Sequence, residues 1–315
     1  MKFTILIPAY KAAFFDECLK SVFSQTYADF EVVVVDDASP EDLKSVADTL
    51  ADPRMTYHRN PSGYGAVELV KNWNNALALC HGDYLMCIGD DDRLLPNCLE
   101  DLAREIDLHP GLDLYHTRME VINEHGEIID IQLDRPDFEN VYSMIYHWIR
   151  GRRQCLGEWV FRTETLKARG GFFYTPCAWA ADDFSAILAA KDTGVRNLHR
   201  PGFQYRQSSL SVTKSYDYSM PKIKAWNIVR TELESLLANE PDDEIDRILR
   251  RFALQRIPHF FRTAKLTEVK KDMYAGTGLK ALWRWLKQCK RVGMSRKQIL
   301  ATYAYRYIES LRSMY

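Results

Sequence analysis

No run of apolar residues in this 315-residue chain approaches the roughly 20 needed to cross a bilayer, so no spanning helix is expected. A net charge is nearly absent as well. Forty-two Lys and Arg face 43 Asp and Glu, which selects no partner by overall attraction and throws the weight onto local distribution. The seven cysteines form no Cys-x-x-Cys pair and no metal-ligand spacing. They read as reduced thiols of a cytoplasmic protein, with Cys18, Cys80, Cys87 and Cys98 packed as small hydrophobes in core elements. Gly-x-Gly-x-x-Gly is missing, which excludes a dinucleotide dehydrogenase. A Gly-rich phosphate loop is missing too: Pro8-Ala9-Tyr10-Lys11 stands where a sugar-phosphate nucleotidyltransferase would carry one. The apolar run Phe3–Ile7 is too short for a signal peptide, is closed by Pro8 and is followed by no small-residue cleavage site.

What is present is an alternation. Phe3–Ile7 is uniformly apolar, as in a strand buried on both faces. Phe15, Cys18, Leu19, Val22 and Phe23 recur at helical spacing. Phe30–Val35 is a second buried strand ending in Asp36-Asp37, after which Pro40 opens a helix with Glu41 and Asp42 in its first turn. Met55–His58 reads as a third strand, Ala66–Cys80 as a helix, and Tyr84–Ile88 as a strand ending at Gly89-Asp90-Asp91-Asp92, with a helix from Pro96 to about Leu108. Such an order predicts an α/β fold with a mostly parallel sheet whose ligands sit at the carboxyl ends of its strands. Both acidic clusters fall at those ends and are expected to face one crevice. Further on, Leu112–Thr117 reads as a strand, and Val121-Ile122 and Ile128–Leu133 flank a hairpin turn at 124–127. Beyond about Ser219 the pattern is helical, and a boundary is expected near 215.

Asp90, Asp91 and Asp92 are adjacent carboxylates that repel one another unless a cation or a basic side chain is near. A hard divalent cation, Mg²⁺ or Mn²⁺, suits them, and could hold a diphosphate as leaving group. A solvated turn capping the next helix is the alternative. Asp36-Asp37 offers the same choice between contacting a base or ribose and capping a helix. Asp182-Asp183 opens another helical pattern and can supply a general base or a cap.

The ordered series Thr4-Ile5-Leu6-Ile7-Pro8-Ala9-Tyr10, Leu19–Tyr27, Phe30–Ser39, Asn74-Asn75-Ala76, Gly82-Asp83-Tyr84 and Asp90-Asp91-Asp92 with Pro96 resembles family 2 glycosyltransferases, inverting enzymes of the GT-A fold. Glu158–Arg162, Gly170-Gly171-Phe172 and Asp182-Asp183 resemble the family's acceptor half. The resemblance implies a catalytic domain over 1–215, with a nucleotide-sugar half (1–110) and an acceptor half (111–215), and a helical, basic region over 216–315. It implies a nucleotide-sugar donor, UDP-sugar first, and a glycan or lipid-linked acceptor. It places Pro8, Ala9 and Tyr10 along the nucleotide, Asp37 at the base, Asn74 in ordering the nucleotide loop, Asp90 beside the ribose or metal, and Asp91, with Asp92, at Mn²⁺ or Mg²⁺. Asp183 becomes the base, with Asp182 its alternate. The chain departs from the commonest pattern in carrying Gly89 where an aspartate is usual. No histidine follows Arg206, which could neutralise the diphosphate or form an ion pair. A non-catalytic scaffold is the remaining rival.

From Leu279 on, Lys280, Arg284, Lys287, Lys290, Arg291, Arg296, Lys297, Arg306 and Arg312 face only Glu309. Leu279, Leu282, Trp283 and Leu286 form an apolar stripe with Trp285 beside it. Such a helix binds an anionic membrane surface or packs on the protein with its basic face in water. No motif for nucleic acid accompanies the charge.

Overall fold

A computed structural model of the chain describes residues 1–208, 218–275 and 278–312. The boundary expected near 215 and the stretch Ser209–Ser211 lie outside the described residues. The chain divides into two compact units, Met1–Tyr174 with Ala181–Leu210, and Thr175–Ala180 with Ser211–Tyr315.

The first unit is built on one sheet. Its strands are β1 (Phe3–Ala9), β2 (Phe30–Asp36), β3 (Met55–Arg59), β4 (Tyr84–Cys87), β5 (Arg93–Leu94), β6 (Leu114–Ile122), β7 (Ile128–Ile131), β8 (Phe138–Glu139), β9 (Trp159–Arg162) and β10 (Val195–Arg206). Their order is β3-β2-β1-β4-β9-β6-β10-β5, with β7 on β6 and β8 on β10. β3, β2, β1 and β4 run parallel, β9 is antiparallel to both β4 and β6, and β10 is parallel to β6. The expected mostly parallel sheet is therefore present, with the four-residue β9 reversed at its centre. The register pairs Ala9 with Asp36 and Leu6 with Cys87, so the exits of β2, β1 and β4 lie side by side.

The apolar runs behave as their composition demands. Phe3, Ile5, Ile7, Val32, Val34 and Met86 are buried in one core with Phe15, Cys18, Leu19 and Val22 of α1 (Phe15–Phe23). Two sequence boundaries move. The helix expected from Pro40 is α2 (Leu43–Asp48), and Asp42 is its cap: Oδ1 accepts from Ser45 N at 3.0 Å, as a short acidic side chain does for an orphan N–H. The helix expected over Ala66–Cys80 is α3 (Leu69–Ala76) followed by a tighter turn at Leu77–Leu79. The two strand pieces expected at 112–117 and 121–122 are one strand, β6, which pairs with β7 across the expected hairpin. The unit also contains α4 (Cys98–Leu108), α5 (Val141–Ile149), α6 (Thr163–Ala168) and α7 (Ala181–Ala189).

The second unit is helical, as expected: α8 (Ser219–Leu236), α9 (Glu244–Ala275), α10 (Gly278–Gln288) and α11 (Arg296–Arg312). Its core includes Ile223, Val269, Met273, Ala281, Leu282, Trp285 and Ile299. The expected stripe on α10 is corrected here. Trp285 faces inward, 1% exposed, with its Nε1 donating to Asp272 at 2.6 Å, while Leu279 and Trp283 are each 65% exposed. Asp272 supplies the partner that lets an indole N–H be buried. Among the described residues no helix is long and apolar enough to cross a membrane.

A β-carbon on Gly82 would lie 2.6 Å from the backbone of Phe3 and of Thr4, atoms that cannot swing aside. Gly82→Ala is expected to cost about 1–3 kcal/mol, read as a lowered midpoint of thermal unfolding. An unchanged midpoint would show that β1 and the entry to β4 are not packed as described.

Candidate active site

The acidic run is not a helix cap. β5 separates it from α4, and Asn97 occupies the cap position of that helix. Each of its carboxylates has a different environment. Asp90 Oδ2 accepts from Tyr10 N at 2.7 Å and Lys11 N at 2.8 Å, tying the loop after β4 to the exit of β1. Asp92 points inward, its Oδ1 accepting from Arg206 N at 2.9 Å and its Oδ2 from Gly89 N at 3.3 Å. Asp91 is the least buried of the three, and its carboxylate takes no hydrogen bond from another of the described residues. Gly89 leaves room for this: a β-carbon there would meet Asp91 Oδ1 and Asp92 Oδ2, each at 2.9 Å.

Burial pushes the Asp90 carboxyl up to about 6, and Asp91 adds to the rise. Burial likewise raises Asp91, against Lys11 and Arg206, and raises Asp92 well above the carboxylate range with Asp91 contributing. The donor chemistry fits a hard divalent cation, and Asp91 is the oxygen donor left available. Among the described residues no three His, Cys, Asp or Glu side chains converge to hold a metal by themselves. That fits a cation shared between one or two carboxylates and substrate phosphates.

Arg206 is engaged inside the protein. Its side chain is fully buried, and its donors are taken within the protein: Nε to Asp91 O at 2.8 Å, Nη1 to Asn123 O and Glu124 O, and Nη2 to Glu17 at 2.7 Å. The ring of Phe14 covers its guanidinium at 4.2 Å. It fastens the acidic loop to β10, α1 and the β6–β7 turn; of the two roles left open, the ion pair is the one present. Asn74 is similarly engaged. Its Oδ1 accepts from Phe172 N at 2.7 Å and its Nδ2 donates to Phe172 O at 2.9 Å, which pins the Gly170–Phe172 turn.

The second acidic pair divides its work. Asp36 is fully buried and accepts from Ser39 N at 2.7 Å, from Tyr57 Oη at 2.6 Å and from Arg59. Asp37 N donates to Ala9 O at 3.0 Å, which sets Asp37 beside the Pro8–Tyr10 exit. The Asp37 carboxylate accepts from Asn60 Nδ2 at 3.0 Å, Tyr64 N at 2.9 Å and Gly65 N at 3.0 Å. Neither is a helix cap, since Asp42 performs that task.

Asp182 and Asp183 stand in the first turn of α7. Asp183 Oδ1 accepts from Gln154 Nε2 at 3.1 Å. Burial pushes its carboxyl up to about 6 against bonds from Trp148 and Gln154, and burial with Asp183 raises Asp182 well above the usual range. Two further charged residues, Glu158 and Arg135, lie in this neighbourhood. Glu158, fully buried, pairs with Arg135 Nη2 at 2.7 Å and accepts from Gln132 Nε2 at 2.9 Å. An acid inside the apolar stretch Leu156–Phe161 was the signal for Glu158; nothing in the irregular stretch around Arg135 marked it. His199 is exposed between Asp134 and Asp137, at 2.8 and 2.7 Å, and its hydrogen bonds to them raise its pKa. Lys71 pairs with Glu68 on the surface of α3.

The family model described as "Glycosyl transferase family 2" matches residues 4–175, over half of the chain, and the chain belongs to that family. Over 208 residues it is 31% identical to the O-antigen biosynthesis protein RfbC of Myxococcus xanthus, covering 65% of this chain and 16% of that protein. Over 83 residues it is 40% identical to the putative colanic acid biosynthesis glycosyl transferase WcaA of Escherichia coli, covering 26% and 29%. Over 113 residues it is 30% identical to the GalNAc(5)-diNAcBac-PP-undecaprenol beta-1,3-glucosyltransferase of Campylobacter jejuni, covering 33% and 34%. The chain thus spans between about a sixth and a third of these relatives' lengths. Its structure resembles S. aureus TarS residues 1–349 in complex with UDP-GlcNAc, with a TM-score of 0.67 and 17% identity over 98% of this chain and 92% of that one. It also resembles the mannosyltransferase PcManGT of Pyrobaculum calidifontis in complex with GDP-Man and Mn²⁺, with a TM-score of 0.54 and 16% identity over 97% and 86%. At such identities the likeness establishes the fold, which is GT-A-like.

A carboxylate whose folded pKa is raised binds its proton more tightly in the native state. Stability therefore falls as pH rises from the ordinary carboxylate value to about 6, the value of Asp90, and the full loss is present above that. Asp91→Asn removes one of three repelling charges. It is expected to raise the metal-free thermal midpoint at about pH 7.5 and to change it less at about pH 5. A lowered midpoint at both pH values would contradict this account of the loop.

Proposed function

We propose that this chain is an inverting glycosyltransferase that moves a sugar from a nucleotide-sugar, a UDP-sugar foremost, to a hydroxyl of a glycan or lipid-linked acceptor. One observation carries the reading. Cys155 follows the Gln154 that holds Asp183, and its thiol is raised by burial and then by Glu158, Asp92 and Asp182, which supports the acids after β4 and those opening α7 lying near one another. Attack and departure on opposite faces of a sugar need such an arrangement.

In this reading Asp37 and the Pro8–Tyr10 exit receive the nucleoside. Mn²⁺ or Mg²⁺ bound at Asp91, with Asp90 and Asp92 shaping the loop, supplies charge neutralisation for the departing diphosphate. Asp183 accepts the acceptor hydroxyl's proton as that oxygen bonds to the anomeric carbon and the bond from this carbon to the diphosphate breaks. Its carboxyl, raised to about 6, stays mostly ionised at neutral pH while remaining a competent base. UDP-GlcNAc bound by TarS supports the donor class, and the names of the bacterial relatives support an acceptor in surface polysaccharide or lipid-linked oligosaccharide assembly.

Released nucleoside diphosphate, followed over a panel of nucleotide sugars with Mn²⁺ or Mg²⁺, tests the reading. Asp91→Ala and Asp183→Asn are each expected to lower turnover by roughly 10²–10⁴-fold, and proton NMR of the product to show an inverted anomeric centre. Activity surviving both substitutions rejects the assignment. Pyrophosphate release from a nucleoside triphosphate and a sugar phosphate would identify a nucleotidyltransferase instead. Nucleotide binding with no turnover on any donor would leave a scaffold.

The face of α10 that carries exposed Leu279 and Trp283 also exposes Lys280 and Lys287, and Lys290 and Arg291 follow it in the open. We propose that this face rests on the anionic cytoplasmic leaflet beside a lipid-linked acceptor. Removing the chain beyond Pro258 is not a clean test, because Pro258 lies inside α9 and Val269 and Met273 beyond it belong to the helical core. The double variant Leu279→Ser, Trp283→Ser is expected to stop co-flotation with phosphatidylserine-rich vesicles. Flotation equal to the wild type would remove the membrane assignment and leave the transferase reading intact.

A further inference from the structure

The first turns of α9 present a face to solvent that the proposed chemistry does not use. Ile245, Ile248 and Phe252 follow one another at helical spacing and form one stripe along the helix. They are 66%, 37% and 46% exposed, whereas Ala253, Ile257 and Phe261 of the same helix are buried. A groove of about 610 Å³ runs beside Ile248 and Leu254, flanked by Glu240, Glu244 and Arg251. Contiguous exposed apolar surface rimmed by charge marks a place where another surface is received.

The charges around the stripe are sorted along the chain. Glu240, Asp242, Asp243, Glu244 and Asp246 stand at one end, and Arg247, Arg250, Arg251 and Arg256 follow. Two of these arginines are engaged locally. Arg250 Nε donates to Leu237 O at 2.8 Å and Arg247 Nη1 to Asp242 O at 2.7 Å, which fastens the connection between α8 and α9. Glu244 and Arg251 are exposed and form no ion pair with any of the described residues. They occupy the same flank of the stripe, each one position ahead of an apolar residue, Ile245 and Phe252.

We infer that this face is covered by the same face of a second copy of the chain, with the two α9 helices antiparallel. A two-fold axis requires a surface that complements itself, and end-for-end sorting of charge provides it. Ile248 of each copy then packs on Phe252 of the other, and Glu244 of each lies against Arg251 of the other, so the ion pair forms twice. Parallel pairing is opposed, because it sets Arg251 of one copy against Arg256 of the other. The acids from Glu240 to Asp246 also make this face a poor match for an anionic membrane. The stripe covers about two helical turns, which places the contact among small, weak interfaces. The inference is independent of the donor, the metal and the base.

Sedimentation velocity of the full chain from about 1 to 200 µM tests it. The wild type is expected to pass from monomer to dimer within that range; a monomer throughout overturns the inference. Arg251→Glu sets glutamate against glutamate twice, and Glu244→Arg sets arginine against arginine twice. Each alone is expected to weaken the dimer by at least about tenfold. An equimolar mixture of the two variants is expected to associate as tightly as the wild type, since every flank then pairs glutamate with arginine. Two damaged surfaces would not repair each other in this way. A mixture that stays monomeric overturns the antiparallel arrangement, and a dimer indifferent to both reversals belongs to another face and overturns it as well. Should a charge variant not fold, Ile248→Ser decides: it is expected to remain monomeric with unchanged helical circular dichroism, and a dimer as tight as the wild type's rejects the proposal.

Discussion

The structure of the first unit turns on three adjacent carboxylates brought to the end of a buried strand. Burial and mutual repulsion both oppose their ionisation, and the chain answers with backbone N–H groups from three places. Tyr10 and Lys11 reach Asp90 from the exit of β1; Gly89 and Arg206 reach Asp92 from the loop itself and from β10. Once those bonds are made, the segments that give them cannot move independently of the acidic loop. Asp91 alone is half-buried and takes no hydrogen bond from another of the described residues.

Arg206 explains how so much negative charge can sit beside a hydrophobic core. A guanidinium brings five donors in a fixed plane, and this one gives four hydrogen bonds, to two carbonyls of the β6–β7 turn, the carbonyl of Asp91 and the carboxylate of Glu17. Glu17 also pairs with Arg93. Side chains thereby join β10 and β5 to α1. Asn74 does the same between α3 and the Gly170–Phe172 turn, with both ends of one amide on the backbone of one residue, Phe172.

The parts of this architecture that sequence made legible are those that depend on periodicity. Phe3–Ile7, Phe30–Val35 and Tyr84–Ile88 read as buried strands because nothing polar interrupts them, and the β6–β7 hairpin read because a polar turn separates two apolar runs. Site positions at strand ends followed from the same pattern. The division of labour within each acidic cluster did not follow, because Asp90, Asp91 and Asp92 differ only in which way each side chain turns. Asp42, not Pro40, begins α2, and Trp285, not Trp283, enters the helical core, for the same kind of reason: a cap or an inward face is decided by a tertiary partner, Ser45 N in one case and Asp272 in the other. Arg135 left no trace in the pattern, since it meets Glu158 across 23 positions of chain.

The carboxylate of Asp37 already has three donors, and two of them are main-chain N–H groups of a glycine-containing turn that lies directly against it. On the proposed function a nucleobase does not arrive at an empty acceptor; it exchanges with Tyr64 and Gly65. Its binding energy is then the difference between two sets of hydrogen bonds, small for a base that donates at that edge and unfavourable for one that only accepts. Discrimination among nucleotides becomes a matter of substitution rather than addition, written into the protein by the turn that serves as the resting occupant.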